Sequence, residues 1–256
     1  MQYGVCGGPE IAEAAARAGF DYFEWSVGAL LQPPGDKEMF LHALKKVRPT
    51  GLPCPVLNCF LPSELKIVGA NVDSHALKKY VSVAFERAQH AMVEVIVLGS
   101  SGARTIPAGF DRAKAQRQLV AFSRMCCDIA QEHDITLVAE PISRSETNVL
   151  NTVNEAADFV REIDDPRFRL MVDSYHWMKD RDSSEAIIAN GSLLAHAHVA
   201  TAAGRKAPGA ENCDFAPFFA ALRKAGYNGR VSIEGTVPNP AEDLPCALEL
   251  MKALAG

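Results

Sequence analysis

Along the chain, short runs of β-branched and aromatic residues alternate with longer segments whose apolar residues recur every three or four positions. The first pattern fits strands and the second amphipathic helices, so the alternation predicts parallel β/α units. Eight strands are expected, at residues 3–6, 22–25, 55–60, 94–99, 136–141, 169–173, 193–199 and 230–234. Helix signals lie between them. Residues 9–18 run into Gly19, and residues 215–225 sit between Asp214 and Gly226, an N-cap and a terminating glycine. Within residues 112–131, Leu119, Phe122, Cys126 and Ile129 recur at steps of three, four and three, which predicts one buried stripe. Thr152 with Glu155 forms a capping box ahead of Ala156, Phe159 and Ile163. Helices also fit residues 37–47, 74–90, 183–190 and 241–254.

Eight such units in 256 residues, with no linker rich in Gly, Ser or Pro, predict an α/β fold, a (β/α)8 TIM barrel forming a single domain over residues 1–256. A doubly wound open sheet is the alternative, but no GxGxxG or GxxxxGK(S/T) phosphate loop follows an early strand.

Composition narrows the function. The formal net charge is −5, and Lys and Arg cluster nowhere, so a nucleic-acid partner is not expected. Apolar runs such as Val95 to Leu98 fall far short of the roughly 20 residues of a membrane span, so no membrane partner is expected either. Residues 1–6 lack a basic segment followed by an apolar one, so no signal peptide is expected. The seven cysteines include no CxxC pair and read as reduced thiols of a cytoplasmic protein.

In a (β/α)8 barrel the active site lies at the C-terminal ends of the strands. Four late strands carry a metal-ligating side chain there: Glu140 after Leu137-Val138-Ala139, Asp173 after Met171-Val172, His198 in His196-Ala197-His198, and Glu234 after Val231-Ser232-Ile233. A carboxylate aimed into an apolar barrel mouth must be paired, hydrogen-bonded or bound to a cation. Three carboxylates and one imidazole suit Mn²⁺, Mg²⁺ or Co²⁺ better than a structural zinc, and we expect one divalent ion, with Mn²⁺ foremost. Strand alternation puts His196 on the same side as His198 but one layer deeper, as a satisfied interior histidine.

Further stretches sharpen this picture: Ala139-Glu140-Pro141-Ile142-Ser143-Arg144, Leu150-Asn151-Thr152, Asp173-Ser174-Tyr175-His176 and Gly226-Tyr227-Asn228-Gly229. In this order they are similar to the EPxNR, LNT, DxxH and GYxG motifs of the xylose isomerase-like barrels, whose sugar isomerases and epimerases include ketose 3-epimerases and hydroxypyruvate isomerase. The intervals from Glu140 to Asp173, His198 and Glu234, 33, 25 and 36 positions in turn, each fall within one residue of the epimerase spacing. The compact segment Arg144-Ser145-Glu146-Thr147-Asn148 resembles the epimerases, whereas Gly204-Arg205-Lys206-Ala207-Pro208-Gly209 looks like hydroxypyruvate isomerase.

The resemblance implies that Glu140, Asp173, His198 and Glu234 hold the metal and that Glu140 and Glu234 also move the proton. One carboxylate would remove the proton beside a carbonyl and the other return one to the opposite face, through a cis-enediolate. Return to the neighbouring carbon instead would isomerise an aldehyde to a ketone. Glu146, His176 and Arg205 match substrate contacts of the family, and the substrate would be a small ketose or 2-keto acid. Asn58, where the third strand opens into the mouth, would meet a sugar hydroxyl. The run Gly99-Ser100-Ser101-Gly102-Ala103-Arg104 reads as a plain loop rather than an anion site, and Trp25, Phe60 and Trp177 could wall the pocket. Homo-oligomers are common in the family. A dehydratase or lyase of the inosose or dehydroshikimate type, and a degenerate sugar-binding barrel, are the competing functions. A three-zinc endonuclease would need further His ligands.

Overall fold

A parallel strand covered on both faces must be apolar throughout, and Val95-Ile96-Val97-Leu98 is buried at every position in the computed structural model, which describes residues 1–256. It is one of eight strands: β1 (Gln2–Cys6), β2 (Tyr22–Ser26), β3 (Val56–Asn58), β4 (Val95–Leu98), β5 (Thr136–Ala139), β6 (Phe168–Asp173), β7 (Leu194–Val199) and β8 (Arg230–Ile233). They pair in parallel in chain order and close through β1 and β8 into the expected (β/α)8 barrel.

The longer helices cover the outside, among them Pro9–Ala18, Lys37–Val47, Ser74–His90, Arg112–His133 and Val153–Ile163, close to the bounds that periodicity predicts. The stripe Leu119, Phe122, Cys126 and Ile129 is buried throughout. Thr152 Oγ1 accepts from the Glu155 N–H at 3.2 Å, while the Glu155 carboxylate reaches back to the Asn151 N–H at 2.7 Å, one residue before the expected partner. Helix Ala216–Lys224 starts one residue late, because the Asp214 carboxylate accepts from the Ala216 N–H at 2.9 Å. The third strand ends at Asn58 rather than residue 60, where Cys59 turns into the left-handed region at φ 48°. Three short helices, Val27–Leu30, Ser101–Arg104 and Ser174–Lys179, follow their strands within two residues and are too short to leave a periodic signal.

Most of the apolar core lies between the strands and the helices, where Phe60 stacks on Phe85 at 5.6 Å and Phe159 meets Phe168 edge-on. Burying each such ring contributes roughly 1.5–3 kcal/mol. Inside the barrel a smaller plug of Tyr22, Val56, Val95, Val97, Val138 and Met171 fills the floor. Tyr22 fits because residue 4 is glycine; a Cβ there would stand 2.2 Å from its ring. No helix is long and apolar enough to cross a membrane.

Candidate active site at the mouth of the barrel

Above that plug the interior turns polar. Asp173 ends β6 and pairs in register with His198, the last residue but one of β7, and Glu140 and Glu234 stand one residue past β5 and β8. One ligand atom from each of these four lies within 4.8 Å of the others. Glu140 Oε1, Asp173 Oδ2 and His198 Nδ1 are buried without a hydrogen-bond partner. Orphaned buried polar atoms are rare because each costs about 1–3 kcal/mol, and three converging on one point fit a cation held there. Residue 99 is a glycine for this reason: a Cβ would stand 2.2 Å from Glu140 Oε2.

The same crowding sets the charges. Burial, reinforced by the Glu234 charge, pushes the Glu140 carboxyl well above its usual range. Asp173 is raised by the same two causes, with His198 and Arg205 pulling back. Burial would raise Glu234 too, but His198 and Arg205 outweigh it and hold it low. Arg205 Nη2 meets Glu234 Oε2 at 2.5 Å, and its guanidinium lies 4.6 Å from the Tyr175 ring centroid.

His176 sits on the helix that follows β6. Its Nδ1 accepts the Ser143 N–H at 3.2 Å, which assigns the ring proton to Nε2, 3.8 Å from Asp173 Oδ2. Burial, then the Arg205 charge, lowers it to about 3, so it presents a neutral N–H donor. Glu146 lies 3.9 Å from Arg205 Nη1. Glu146, His176, Arg205 and Asn58 all line one cavity of about 410 Å³ with Glu140 and Glu234, and only four of its 18 lining residues are apolar.

Directly beneath lies a carboxylate that the sequence reading passed over. Glu24, fully buried on β2, takes His196 Nε2 and His198 Nε2 at 3.0 Å each and the Ser232 hydroxyl at 2.7 Å. Burial alone would raise its carboxyl, but the charges of His198 and His196 outweigh it and hold it far below the usual range. This contact keeps a proton on His198 Nε2 and leaves Nδ1 facing the carboxylates above. Its one sequence signal is period-two alternation with Tyr22, which places both inside the barrel.

Two softer expectations change. The run expected to be a plain loop turns into a short helix at Ser101–Arg104, whose Arg104 is fully buried and donates to the carbonyls of Leu98 at 3.0 Å and Glu140 at 2.6 Å. Trp25, Phe60 and Trp177 do not line this cavity. Phe60 is in the core, and Trp177 packs on Phe218 at 5.8 Å.

A family profile described as xylose isomerase-like TIM barrel matches residues 12–254. An L-ribulose 3-epimerase of Methylomonas sp. (strain DH-1) is 27% identical over 91% of this chain and 79% of its own length. A D-psicose 3-epimerase of Enterocloster bolteae is 34% identical over 48% of this chain but 40% of its own length. The structure of a D-psicose 3-epimerase from Clostridium cellulolyticum H10 with D-tagatose superposes with a TM-score of 0.85 at 20% identity, covering 100% of this chain and 99% of that one, a likeness of fold.

Proposed function

The chain belongs to the xylose isomerase-like TIM barrel family, and from that premise we propose that it is a divalent-cation-dependent ketose epimerase working through Glu140 and Glu234. The observation that carries this reading is the convergence of Glu140, Asp173, His198 and Glu234 with three buried ligand atoms unpartnered. These residues would hold the cation, with Mn²⁺ the expected species because oxygen donors dominate. When bound, it supplies Lewis-acid charge that offsets negative charge developing on adjacent substrate oxygens.

The chain's own groups do the rest. Glu140 and Glu234 rise from β5 and β8, with β6 and β7 between them around the mouth, so a sugar carbon between them meets a carboxylate on either face. One takes the proton beside the carbonyl, a cis-enediolate forms, and the other returns a proton to the opposite face. The neutral His176 Nε2–H points into the cavity and donates to the oxygen that gains charge. Arg205 and Glu146 hold hydroxyls beside Glu234, and Asn58 does so from β3. The prevailing polarity of the cavity suits a small polyhydroxylated ketose, and the relatives named as ribulose and psicose 3-epimerases support carbon 3 as the reacting centre. Seven unpaired thiols accord with a reducing, cytoplasmic setting.

The test begins with calorimetric titration of Mn²⁺ into chelator-stripped protein beside Asp173→Ala. One site per chain, lost in the variant, is expected. Ketoses incubated with loaded protein in D₂O should then gain deuterium at carbon 3. Absence of Mn²⁺ binding overturns the reading, and a product lighter by one water replaces epimerisation with dehydration.

A further inference from the structure

One donor at the mouth is not used by the set above. Cys6 ends β1, where its register partner is Glu24 on β2, and the preceding Val5 pairs with Ile233, the residue before Glu234. Neighbouring strands therefore bring the thiol beside Glu234. Cys6 Sγ, a ring nitrogen of His198 and a carboxylate oxygen of Glu234 lie within 4.8 Å of one another. His198 is fully buried, with Nε2 engaged by Glu24 and Nδ1 without a partner, so Nδ1 is the nitrogen free to bind.

We propose that Cys6, His198 and Glu234 form an alternative site for a soft divalent cation, Zn²⁺ or Cd²⁺, which competes with the hard cation by claiming two of its four ligands. The inference rests on reading the mouth as a cation site and adds a second coordination mode to it. Thiolate, imidazole and carboxylate together are a donor set for zinc-like ions, whereas three carboxylates and one imidazole favour manganese-like ions. A soft cation forms its bond to sulfur as the Cys6 proton leaves to solvent; no electron is transferred. His198 Nδ1 has one lone pair and serves one ion at a time, so the two modes exclude each other. The soft mode also removes Glu234 from proton transfer, which makes it inhibitory.

The experiment adds Cd²⁺ to the chelator-stripped full chain and reads the ultraviolet thiolate-to-metal charge-transfer band. Wild type and Cys59→Ser, a substitution of a thiol on the cavity wall, should both show the band, and Cys6→Ser should lose it while still binding Mn²⁺. Excess Mn²⁺ should suppress the band in wild type. Asp173→Ala should keep it after losing Mn²⁺ binding. As a check without substitution, Cd²⁺ should protect Cys6 of the wild-type chain from alkylation, read by peptide mass. No band, a band surviving Cys6→Ser, or a band unaffected by Mn²⁺ that does bind overturns the proposal, as does unprotected Cys6. Mn²⁺ binding without the band removes this inference alone. A Cys6-dependent band without Mn²⁺ binding removes the hard-cation reading and the competition with it, and leaves only the soft-cation site.

Discussion

Two polar layers lie one above the other inside the same apolar barrel, and they differ in how far each satisfies itself. In the lower layer Tyr22 donates to Ser232 at 2.8 Å, Ser232 donates to Glu24, and Glu24 takes both imidazoles, leaving only His196 Nδ1 open. In the upper layer Glu140, Asp173 and His198 each keep a buried atom without a partner. His198 belongs to both, with Nε2 below and Nδ1 above. Burial of charge is common to the two, so it does not by itself mark a site. Incompleteness does: a closed network holds a shape, and an open one leaves room for a ligand.

Substitution in the upper layer breaks chemistry first. Glu140→Gln and Glu234→Gln should each lower solvent-proton exchange into a ketose by about 10²–10⁴-fold. Both variants should still fold cooperatively, because most of the apolar core lies between the strands and the helices. Undiminished exchange in both variants would sink the two-glutamate mechanism.

Substitution in the lower layer is read instead as stability. Glu24→Ala strips the shared carboxylate from two buried imidazoles and should cost about 3–5 kcal/mol in urea denaturation, as for a buried pair broken from one side. A loss confined to catalysis would show that Glu24 belongs functionally to the layer above.

The two layers were unequally legible in the sequence. The barrel was readable because its strands are short apolar runs and its long helices keep a clean stripe, as Leu119 to Ile129 does. The upper layer was readable because Glu140, Asp173 and Glu234 each interrupt an apolar strand at its C-terminal end. Glu24 was not, because Phe23-Glu24-Trp25 gives no sign of the two histidines some 170 positions away that make a buried acid tolerable there. The buried role of Arg104 was hidden for a related reason: its partners are backbone carbonyls, which carry no side-chain signature. Aromatic residues near strand ends misled in the opposite direction, since Phe60 faces the helices rather than the mouth.

Arg104 links the layers to the loop that frames them, and its removal should have a smaller effect. Burial lowers its guanidinium to about 10, yet it stays charged at neutral pH and spans the Leu98 and Glu140 carbonyls. Arg104→Met keeps the volume but leaves the Glu140 carbonyl unpaired, while Leu98 keeps the Glu140 N–H at 3.3 Å, for an expected loss of about 1–3 kcal/mol by chemical denaturation. A change under half a kcal/mol would show that water replaces the guanidinium.

The pH dependence separates the layers by its sign, with the smallest effect per pH unit. In chelator-stripped protein the folded Glu140 carboxyl is raised above its ordinary 4.5, chiefly by burial and then by Glu234, so it keeps a proton that the unfolded chain has already released. Stability from this group therefore falls as pH rises above 4.5, by at most about 1.4 kcal/mol per pH unit for one proton. Glu24 is shifted the other way from the same 4.5, so its contribution is present above that value and is lost as pH falls below it. Urea midpoints across pH should thus fall on both arms, the alkaline one reporting the upper layer and the acid one the lower. Saturating Mn²⁺ should flatten the alkaline arm and Glu140→Gln should make it shallower, with Asp173 still contributing, and both should leave the acid arm in place, because the Glu24 contacts below are kept. An alkaline arm indifferent to both would mean that the upper carboxylates are already satisfied in solution, and the contrast between the layers would fail.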